Sequence, residues 1–225
     1  MRRQQGVSLL TVMVVMLLGL LMVLGSSRVT LLNEKMAGNS TDYQRAYEAA
    51  EALLSDARLD LACLNGGCIT RAAVTQFTCD VAQFGDLQAQ LATLNPPCRD
   101  GICLDLGTEV NGNPATSFWN NAARFTTFTT GNRGVRFGQY TNSPVIAANA
   151  VNPLLVGNGW YWIEILPYGA SAGGRSVVSE QSFLGGAAFK PDKNCEYMFR
   201  VTAVAQGRKP GTSAVLQSLY FFRPA

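Results

Sequence analysis

Residues 7–25 read VSLLTVMVVMLLGLLMVLG and contain no charged side chain. As an α-helix rising about 1.5 Å per residue, this stretch is about 29 Å long, close to the roughly 30 Å hydrocarbon thickness of a bilayer. Arg2 and Arg3 precede it and the first acidic residue is Glu34, so the positive-inside rule places the N-terminus in the cytoplasm. The stretch therefore predicts a membrane-crossing helix that is followed by a periplasmic domain.

A cleaved secretory signal and a permanent anchor are the two ordinary interpretations of this stretch. Gly25-Ser26-Ser27 loosely offers a small-residue cleavage site, but the apolar run is long for a signal peptide. From Val29 to Leu61, apolar residues recur at three- and four-residue steps, which is typical of one face of a helix. Residues 7–27 and the amphipathic segment 28–61 are therefore predicted to form one long helix.

Gly38-Asn39 is the weak point of this predicted helix, because glycine in a helix interior costs about 1 kcal/mol relative to alanine. Thr41 and Gln44 can form a capping box, so we expect a kink or a helix restart near Ser40. The alternative is a loop over residues 36–40 that joins a membrane anchor to the first helix of a domain.

The composition disfavours several classes of function. With 225 residues, the chain is long enough for one substantial domain and an appended helix. Its 18 Lys and Arg exceed its 15 Asp and Glu by only +3, and they form no basic stripe, so nucleic acid is not predicted as a direct partner. The chain has no histidine, the commonest general base and zinc ligand.

Catalytic motifs are absent from the sequence. It contains no Walker motif, no G-x-S-x-G elbow and no acid-rich calcium loop. Trp119, Trp160 and Trp162 can stack on a ligand, but tryptophan in a strand more often packs in the core. We therefore expect a non-catalytic protein without a metal ion or cofactor.

Six cysteines follow the apolar segment, and an even number on one side of a membrane segment favours disulfides in an oxidising compartment. The two C-x4-C pairs can also be metal knuckles, although zinc knuckles more often have two-residue spacing. Two local loops, 63–68 and 98–103, are the favoured pairings, which leaves one long link. The six are Cys63, Cys68, Cys79, Cys98, Cys103 and Cys195.

Residues 62–225 are rich in Gly, Asn, Thr and Pro with short apolar runs, which predicts an irregular β-rich globular domain. Residues 81–94 predict a helix that Asn95-Pro96-Pro97 ends. Aromatic and β-branched residues, partly in alternation, predict strands over 160–166, 196–205 and 213–222.

The last two predicted strands should form an antiparallel hairpin, with a turn built on Gly207 and Pro210-Gly211. A long helix packed on such a sheet can bury the face that carries Tyr43, Tyr47 and Leu54. The predicted fold class is therefore α+β, with a long N-terminal helix packed on an antiparallel β-sheet.

The leader MRRQQG (1–6) and the apolar helix directly behind it resemble the class III signal of type IV pilins and pseudopilins. The resemblance implies that prepilin peptidase cuts between Gly6 and Val7 on the cytoplasmic side and methylates the new amino group of Val7. The apolar helix then stays in the mature protein, whereas an ordinary signal peptide is lost.

Two further segments resemble PilX-type minor pilins of the type IV pilus. EKMAGN (34–39) and AYEAAEA (46–52) match the family pattern behind the membrane helix, and FRVTAVAQGRKPGTSAVLQSLYFF (199–222) is similar to the strand–turn–strand end of that family. Between residues 62 and 195 we identify no resemblance. A pilin-like fold is the structure that this similarity implies.

Thr11 departs from the pattern of most pilins, which carry a glutamate at the fifth residue after the cut. In a filament core, that carboxylate neutralises the terminal amine of a neighbouring subunit, which otherwise lies unpaired in a low dielectric. A subunit with Thr11 cannot supply this pairing. We hypothesise a place at or near the filament tip; the alternative is that Thr11 is tolerated because the subunit is rare.

The resemblance implies a minor pilin that primes pilus assembly and supports adhesion and twitching motility. Its implied partners are prepilin peptidase, the major pilin, other minor pilins and a PilY-type tip adhesin. Its implied location is the inner membrane, with a single crossing and a periplasmic domain, and then the pilus. The alternatives are a tip pseudopilin of type II secretion and a periplasmic binding or enzymatic domain on an uncleaved anchor.

Overall fold

A computed structural model describes residues 5–63, 81–104, 106, 117–141, 143, 157–167 and 197–220. Internal contacts divide the chain into two compact units, Met1–Asp42 and Tyr43–Ala225. The described part of the first unit is entirely helical. In the second unit, helices pack on both faces of a β-sheet.

Helix α1 extends over Gln5–Cys63. Residues 36–40 are helical, so the loop predicted over these residues and the helix restart predicted near Ser40 are both wrong. Thr41 Oγ1 donates to the carbonyl oxygen of Ala37 at 2.9 Å, whereas a capping side chain would accept from a backbone N–H. The helix continues through Gly38 because a glycine costs only about 1 kcal/mol, while ending the helix leaves several backbone groups without partners.

Helix α2 (Val81–Ala92) confirms the helix predicted over residues 81–94. Leu87 and Leu91 on this helix are buried in the same apolar cluster as the domain half of α1. The chain then turns through a cis peptide bond between Asn95 and Pro96 and enters the sheet.

Five strands form one sheet within the described part of the chain, in the order β1-β2-β3-β4-β5. The three predicted strands are present as β3, β4 and β5. The predicted α+β class is therefore confirmed. The strands are β1 (Cys98–Arg99), β2 (Ile102–Cys103), β3 (Gly159–Pro167), β4 (Tyr197–Gln206) and β5 (Ser213–Tyr220).

The pairing of β2 with β3 is parallel, whereas all other neighbouring pairs are antiparallel. This pair departs from the purely antiparallel sheet that the sequence predicted. A parallel pair needs a crossover of a dozen or more residues, and more than 50 residues separate Cys103 from Gly159, so the chain has the length to return to the same end of the sheet.

Strands β4 and β5 form the predicted antiparallel hairpin. In the turn, the backbone N–H of Gly207 donates to the carbonyl oxygen of Thr212 at 2.8 Å, and that of Thr212 donates to the carbonyl oxygen of Lys209 at 3.1 Å. Gly211 has a φ of +84°, a left-handed conformation that favours glycine. Gly207 and Pro210-Gly211 therefore lie in the hairpin turn, as predicted.

One face of the sheet packs on the domain half of α1. Leu53 lies at the centre of the buried helix face, whereas Tyr43 and Tyr47 are 53% and 36% exposed, so their predicted burial is wrong. At about 100° per residue, Tyr47 lies about 120° around the helix from Leu53, and Tyr43 lies before Ala46, the first of the buried alanines. The face that packs on the sheet consists mainly of small residues, which let the helix approach closely: Ala46, Ala49, Ala50, Leu53, Ala57 and Leu61.

The opposite face of the sheet is covered by an aromatic layer that the sequence did not predict. A 3₁₀ helix (Phe118–Asn120) and helix α3 (Ala122–Thr129) carry this layer. Trp162 is fully buried in it and donates from Nε1 to the carbonyl oxygen of Phe128 at 3.2 Å, which confirms the core role expected for this residue. Helix α3 is short and rich in threonine, a residue of low helix propensity, so its local signal is weak.

Candidate assembly surface

Helix α1 is long and apolar enough to cross a membrane, by length and composition. Its apolar segment from Ser8 has a mean hydropathy of 2.6 over the best window, and none of that window is buried. The large side chains from Leu9 to Leu32 are roughly half to three-quarters exposed. So large an apolar surface is typical of residues that contact lipid or another protein.

The residues of the predicted maturation site lie at the start of this helix. Gly6 and Val7 belong to the first turn of α1. Thr11 is exposed, and its Oγ1 donates to the carbonyl oxygen of Ser8 at 2.9 Å. The side chain at this position thus bonds to its own helix and carries no charge.

Two aspartates attach α1 to the rest of the second unit. Asp60 is 1% exposed, and its Oδ2 accepts a hydrogen bond of 2.6 Å from the hydroxyl of Tyr161 on β3. One turn earlier, Asp56 accepts from the backbone N–H of Gly138 at 2.8 Å and from the hydroxyl of Thr141. A hydrogen bond to a charged group contributes more than a neutral one, so these contacts hold the helix in one register against the domain.

Glu164 on β3 and Arg200 on β4 form a buried ion pair between two neighbouring strands. They are directly opposite each other in the strand register, and their side chains are 3% and 11% exposed. Both Nε and Nη2 of Arg200 lie 2.8 Å from Oε2 of Glu164. The other carboxylate oxygen, Oε1, accepts from the backbone N–H of Leu106 at 3.2 Å, so the pair also holds the segment after β2.

A disulfide joins Cys98 and Cys103, one of the two local pairings that the spacing favoured. Both cysteines are buried, and they are opposite each other at the end of the β1–β2 hairpin. The favoured pairings 63–68 and 79–195 lie outside the described residues and side chains. The described part of the chain contains no cluster of His, Cys, Asp and Glu that can hold a metal ion.

Two protein-family models match the chain. One is described as PilX N-terminal and matches residues 5–54; the other is described as Type IV pilus assembly protein PilX C-term and matches residues 89–221, more than half of the chain. The chain belongs to the PilX family. Comparison with curated proteins and with solved structures found no match.

Membership of the PilX family confirms the resemblance read from residues 34–52 and 199–222. The C-terminal match begins at residue 89, so it also covers most of the segment 62–195, in which the sequence suggested no family. The protein is therefore a minor pilin of the type IV pilus, a structural component that associates with other components of the pilus, with an N-terminal apolar helix long enough to cross a membrane.

The two anchoring aspartates were missed when the sequence was read, although a signal for them exists. Asp56 and Asp60 are four residues apart and lie beside Ala57 and Leu61 on the buried face of an amphipathic helix. Acidic residues on a buried face are rarely left without partners. This pattern predicts a hydrogen-bonding role, but it cannot identify the partners.

Proposed function

We propose that this minor pilin primes assembly of the type IV pilus and occupies a place at or near the filament tip. One observation carries the proposal: an exposed apolar helix belongs to the same chain as a folded domain that matches the PilX C-terminal model. The apolar surface serves first as a lipid face in the inner membrane and then as a contact surface among pilin helices.

Maturation is the first step of this proposal. Prepilin peptidase removes residues 1–6 by cutting between Gly6 and Val7 and methylates Val7, so that residues 7–27 form the membrane and filament-core helix. Residues 28–61 are the periplasmic part of that helix, and residues 62–225 are the globular domain. The N-terminus lies in the cytoplasm and the domain in the periplasm before assembly.

Mass spectrometry of the mature protein tests the maturation step. We expect an N-terminus at Val7 that carries one methyl group in the wild-type strain and an intact leader in a prepilin-peptidase mutant. Gly6→Val should block the cut, whereas Gly25→Ala, at a helical glycine with no atom within 4 Å of an added Cβ, should leave it unchanged. An intact Met1 in the wild type, or cleavage beyond Ser27, would overturn the proposal.

The tip position rests on the neutral side chain of Thr11. Thr11→Glu adds a carboxylate that can pair with the amine of a neighbouring subunit, so this variant should be incorporated along the filament shaft as well as at the tip. Thr11→Gln has nearly the same size without the charge and should keep the wild-type distribution. Immunogold labelling of sheared pili measures the difference; equal tip labelling for both variants contradicts the tip argument.

The proposed partners are the major pilin, other minor pilins and a PilY-type tip adhesin, through which the subunit supports adhesion and twitching motility. A deletion strain tests this role. We expect fewer surface pili and reduced twitching, with secretion of exoproteins unchanged. Loss of secretion with normal piliation would instead favour a type II secretion pseudopilin.

A further inference from the structure

The β-sheet has two edge strands in the described part of the chain, and they differ in how well they are protected against pairing with another chain. At one edge, β1 is only two residues long and carries the charged side chain of Arg99. Short strands and charged side chains are ordinary means of preventing unwanted pairing at a sheet edge. At the other edge, β5 has eight residues and is long enough to accept a further strand.

Strand β5 has none of the features that usually protect an edge. Its sequence, SAVLQSLY, contains no charged residue and no proline. Its residues pair one to one with those of β4, from Ser213 opposite Gln206 to Tyr220 opposite Phe199, so the strand has no bulge. A long, uncharged edge strand without such features pairs readily with other chains.

The backbone of every second residue on β5 points away from β4. Residues opposite each other in an antiparallel pair alternate between hydrogen-bonded and non-hydrogen-bonded pairs. The N–H of Gly207 donates to the carbonyl oxygen of Thr212 at 2.8 Å, so the next pair, Gln206 and Ser213, is a non-hydrogen-bonded one. The N–H of Gln206 donates on the β3 side instead, to Asn158 at 2.7 Å. The β5 residues with outward backbone groups are therefore Ser213, Val215, Gln217 and Leu219.

These outward N–H and C=O groups form an open row of donors and acceptors. No backbone group of the described residues pairs with them. The side chains beside the row are uncharged on both faces of the sheet. Leu216 and Tyr220 are partly buried against the core that contains α1, and Val215 against the aromatic layer, whereas Leu219 is 49% exposed.

A polypeptide in the extended conformation is the ligand that fits this edge. It supplies C=O and N–H groups at the spacing of a β-strand, and it would lie about 4.8 Å from β5, where its side chains contact those of the edge. The edge carries no charge that could pair with a charged side chain. The entering segment should therefore be uncharged, with apolar residues beside Leu216, Leu219 and Tyr220.

We propose that β5 accepts an extended, uncharged segment from another subunit of the pilus, which adds a strand to the sheet. The choice of partner rests on membership of the PilX family, whose members associate with other pilus components, and not on the proposed tip position. A second copy of the chain fits less well. Two β5 strands would pair antiparallel about a two-fold axis, whereas neighbouring subunits in a filament meet through different surfaces.

Photo-cross-linking in cells tests the proposal on the full chain. The photoreactive residue p-benzoylphenylalanine replaces Gln217, whose side chain is exposed on β5. After irradiation, mass spectrometry of the cross-linked peptides should identify a segment of another pilus subunit. Membranes and sheared pili are both analysed, so the result does not depend on the position of the subunit along the filament.

Variants of Leu219 test whether the contact is a backbone pairing at the edge. Leu219→Pro removes an N–H that points away from β4 and leaves the bonds of the hairpin in place. Leu219→Lys keeps the N–H and places a charge beside the entering strand. Each should lower the yield of the cross-link at least fivefold. Leu219→Thr keeps the N–H and a high strand propensity without a charge, and should change the yield less than twofold.

Near-ultraviolet circular dichroism of each variant, purified as the full chain in detergent micelles, checks that the domain is folded. If Leu219→Pro is not folded, Leu219→Lys decides, because an exposed position tolerates lysine. The proposal is overturned by no cross-link to another pilus subunit, by cross-links only to a second copy or to a protein outside the pilus, or by equal yields in Leu219→Lys and Leu219→Thr. A normal, methylated N-terminus at Val7 in the same cells would show that such a failure leaves the proposed maturation unaffected.

Discussion

Replacing Arg200 with methionine should destabilise the domain far more than breaking an ion pair at the surface. The guanidinium makes two contacts of 2.8 Å with one carboxylate oxygen of Glu164, and both side chains are almost fully buried. Methionine has a similar length and an apolar surface, so the substitution removes the charge and leaves little empty space. It leaves the Glu164 carboxylate buried without its cation.

The expected loss of stability follows from the buried charge of Glu164. Removing one partner of a buried ion pair costs about 3–5 kcal/mol. For a domain of this size, 1 kcal/mol corresponds to roughly 2–4 °C in Tm, so Tm should fall by about 6–20 °C. The double variant Glu164→Gln/Arg200→Met removes both charges and keeps an amide oxygen for the N–H of Leu106. It should recover at least about 2 kcal/mol of the loss.

The measurement is urea unfolding of the full chain in detergent micelles at pH 7, followed by tryptophan fluorescence. Trp162 is fully buried in the aromatic layer and should report on loss of the core. Arg99→Met is the matched control, because Arg99 lies 3.8 Å from the carboxylate of Asp100 in a pair with a half-exposed arginine. Exposed pairs contribute about 0–1 kcal/mol, so this variant should resemble the wild type.

Two outcomes would contradict a stabilising role for this ion pair. The first is a loss of stability in Arg200→Met that is no larger than in Arg99→Met. The second is a double variant that is as unstable as the sum of the Arg200→Met and Glu164→Gln single changes, because the argument requires coupling between the two side chains. Either result means that the buried carboxylate does not depend on the guanidinium.

Two further substitutions, each with a control, test the contacts that hold α1 and the backbone around Gly138. Tyr161→Phe removes the hydroxyl that donates to the buried carboxylate of Asp60, so the free energy of unfolding in the same urea assay should fall by about 1.5–3 kcal/mol. The control Tyr47→Phe, on the exposed side of α1, should lower it by less than about 0.5 kcal/mol. Equal effects of the two substitutions would contradict the buried hydrogen bond. Gly138→Ala should lower the free energy of unfolding by more than about 2 kcal/mol, because φ is +74° and the added Cβ would lie 2.3 Å from the backbone oxygen of Ser143. In the control Gly157→Ala, the added Cβ meets no atom within 4 Å, so its effect on stability should be close to zero. A thermally stable Gly138→Ala protein is inconsistent with this geometry.

Local patterns in the sequence were enough to predict the main elements. The period of apolar residues identifies α1, and β-branched and aromatic runs identify β3, β4 and β5 within about two residues of their observed ends. Gly207 and Pro210-Gly211 mark the hairpin turn because the conformations available to glycine and proline are local properties. Family membership was likewise readable from short segments of the chain.

The side of α1 that packs on the sheet was predicted only in part. Tyr43 and Tyr47 are apolar enough to be read as core, but the alanines beside Leu53 pack there. Close approach of a helix to a sheet favours small side chains, and hydrophobicity alone does not measure how close the backbones come. Helix α3 was missed for a related reason, since it forms over a threonine-rich segment that packs aromatic side chains on the sheet.

The long helix, the apolar surface at its N-terminal end, the hairpin and the class of the fold could all be predicted from local patterns. Each depends on residues within a few positions of one another. The partners of the buried charges could not be predicted in this way: Asp60 bonds to Tyr161, 101 residues later, and Arg200 pairs with Glu164, 36 residues earlier. A buried charge needs a partner, but the strand register and the helix face select that partner, and both are set by the whole domain.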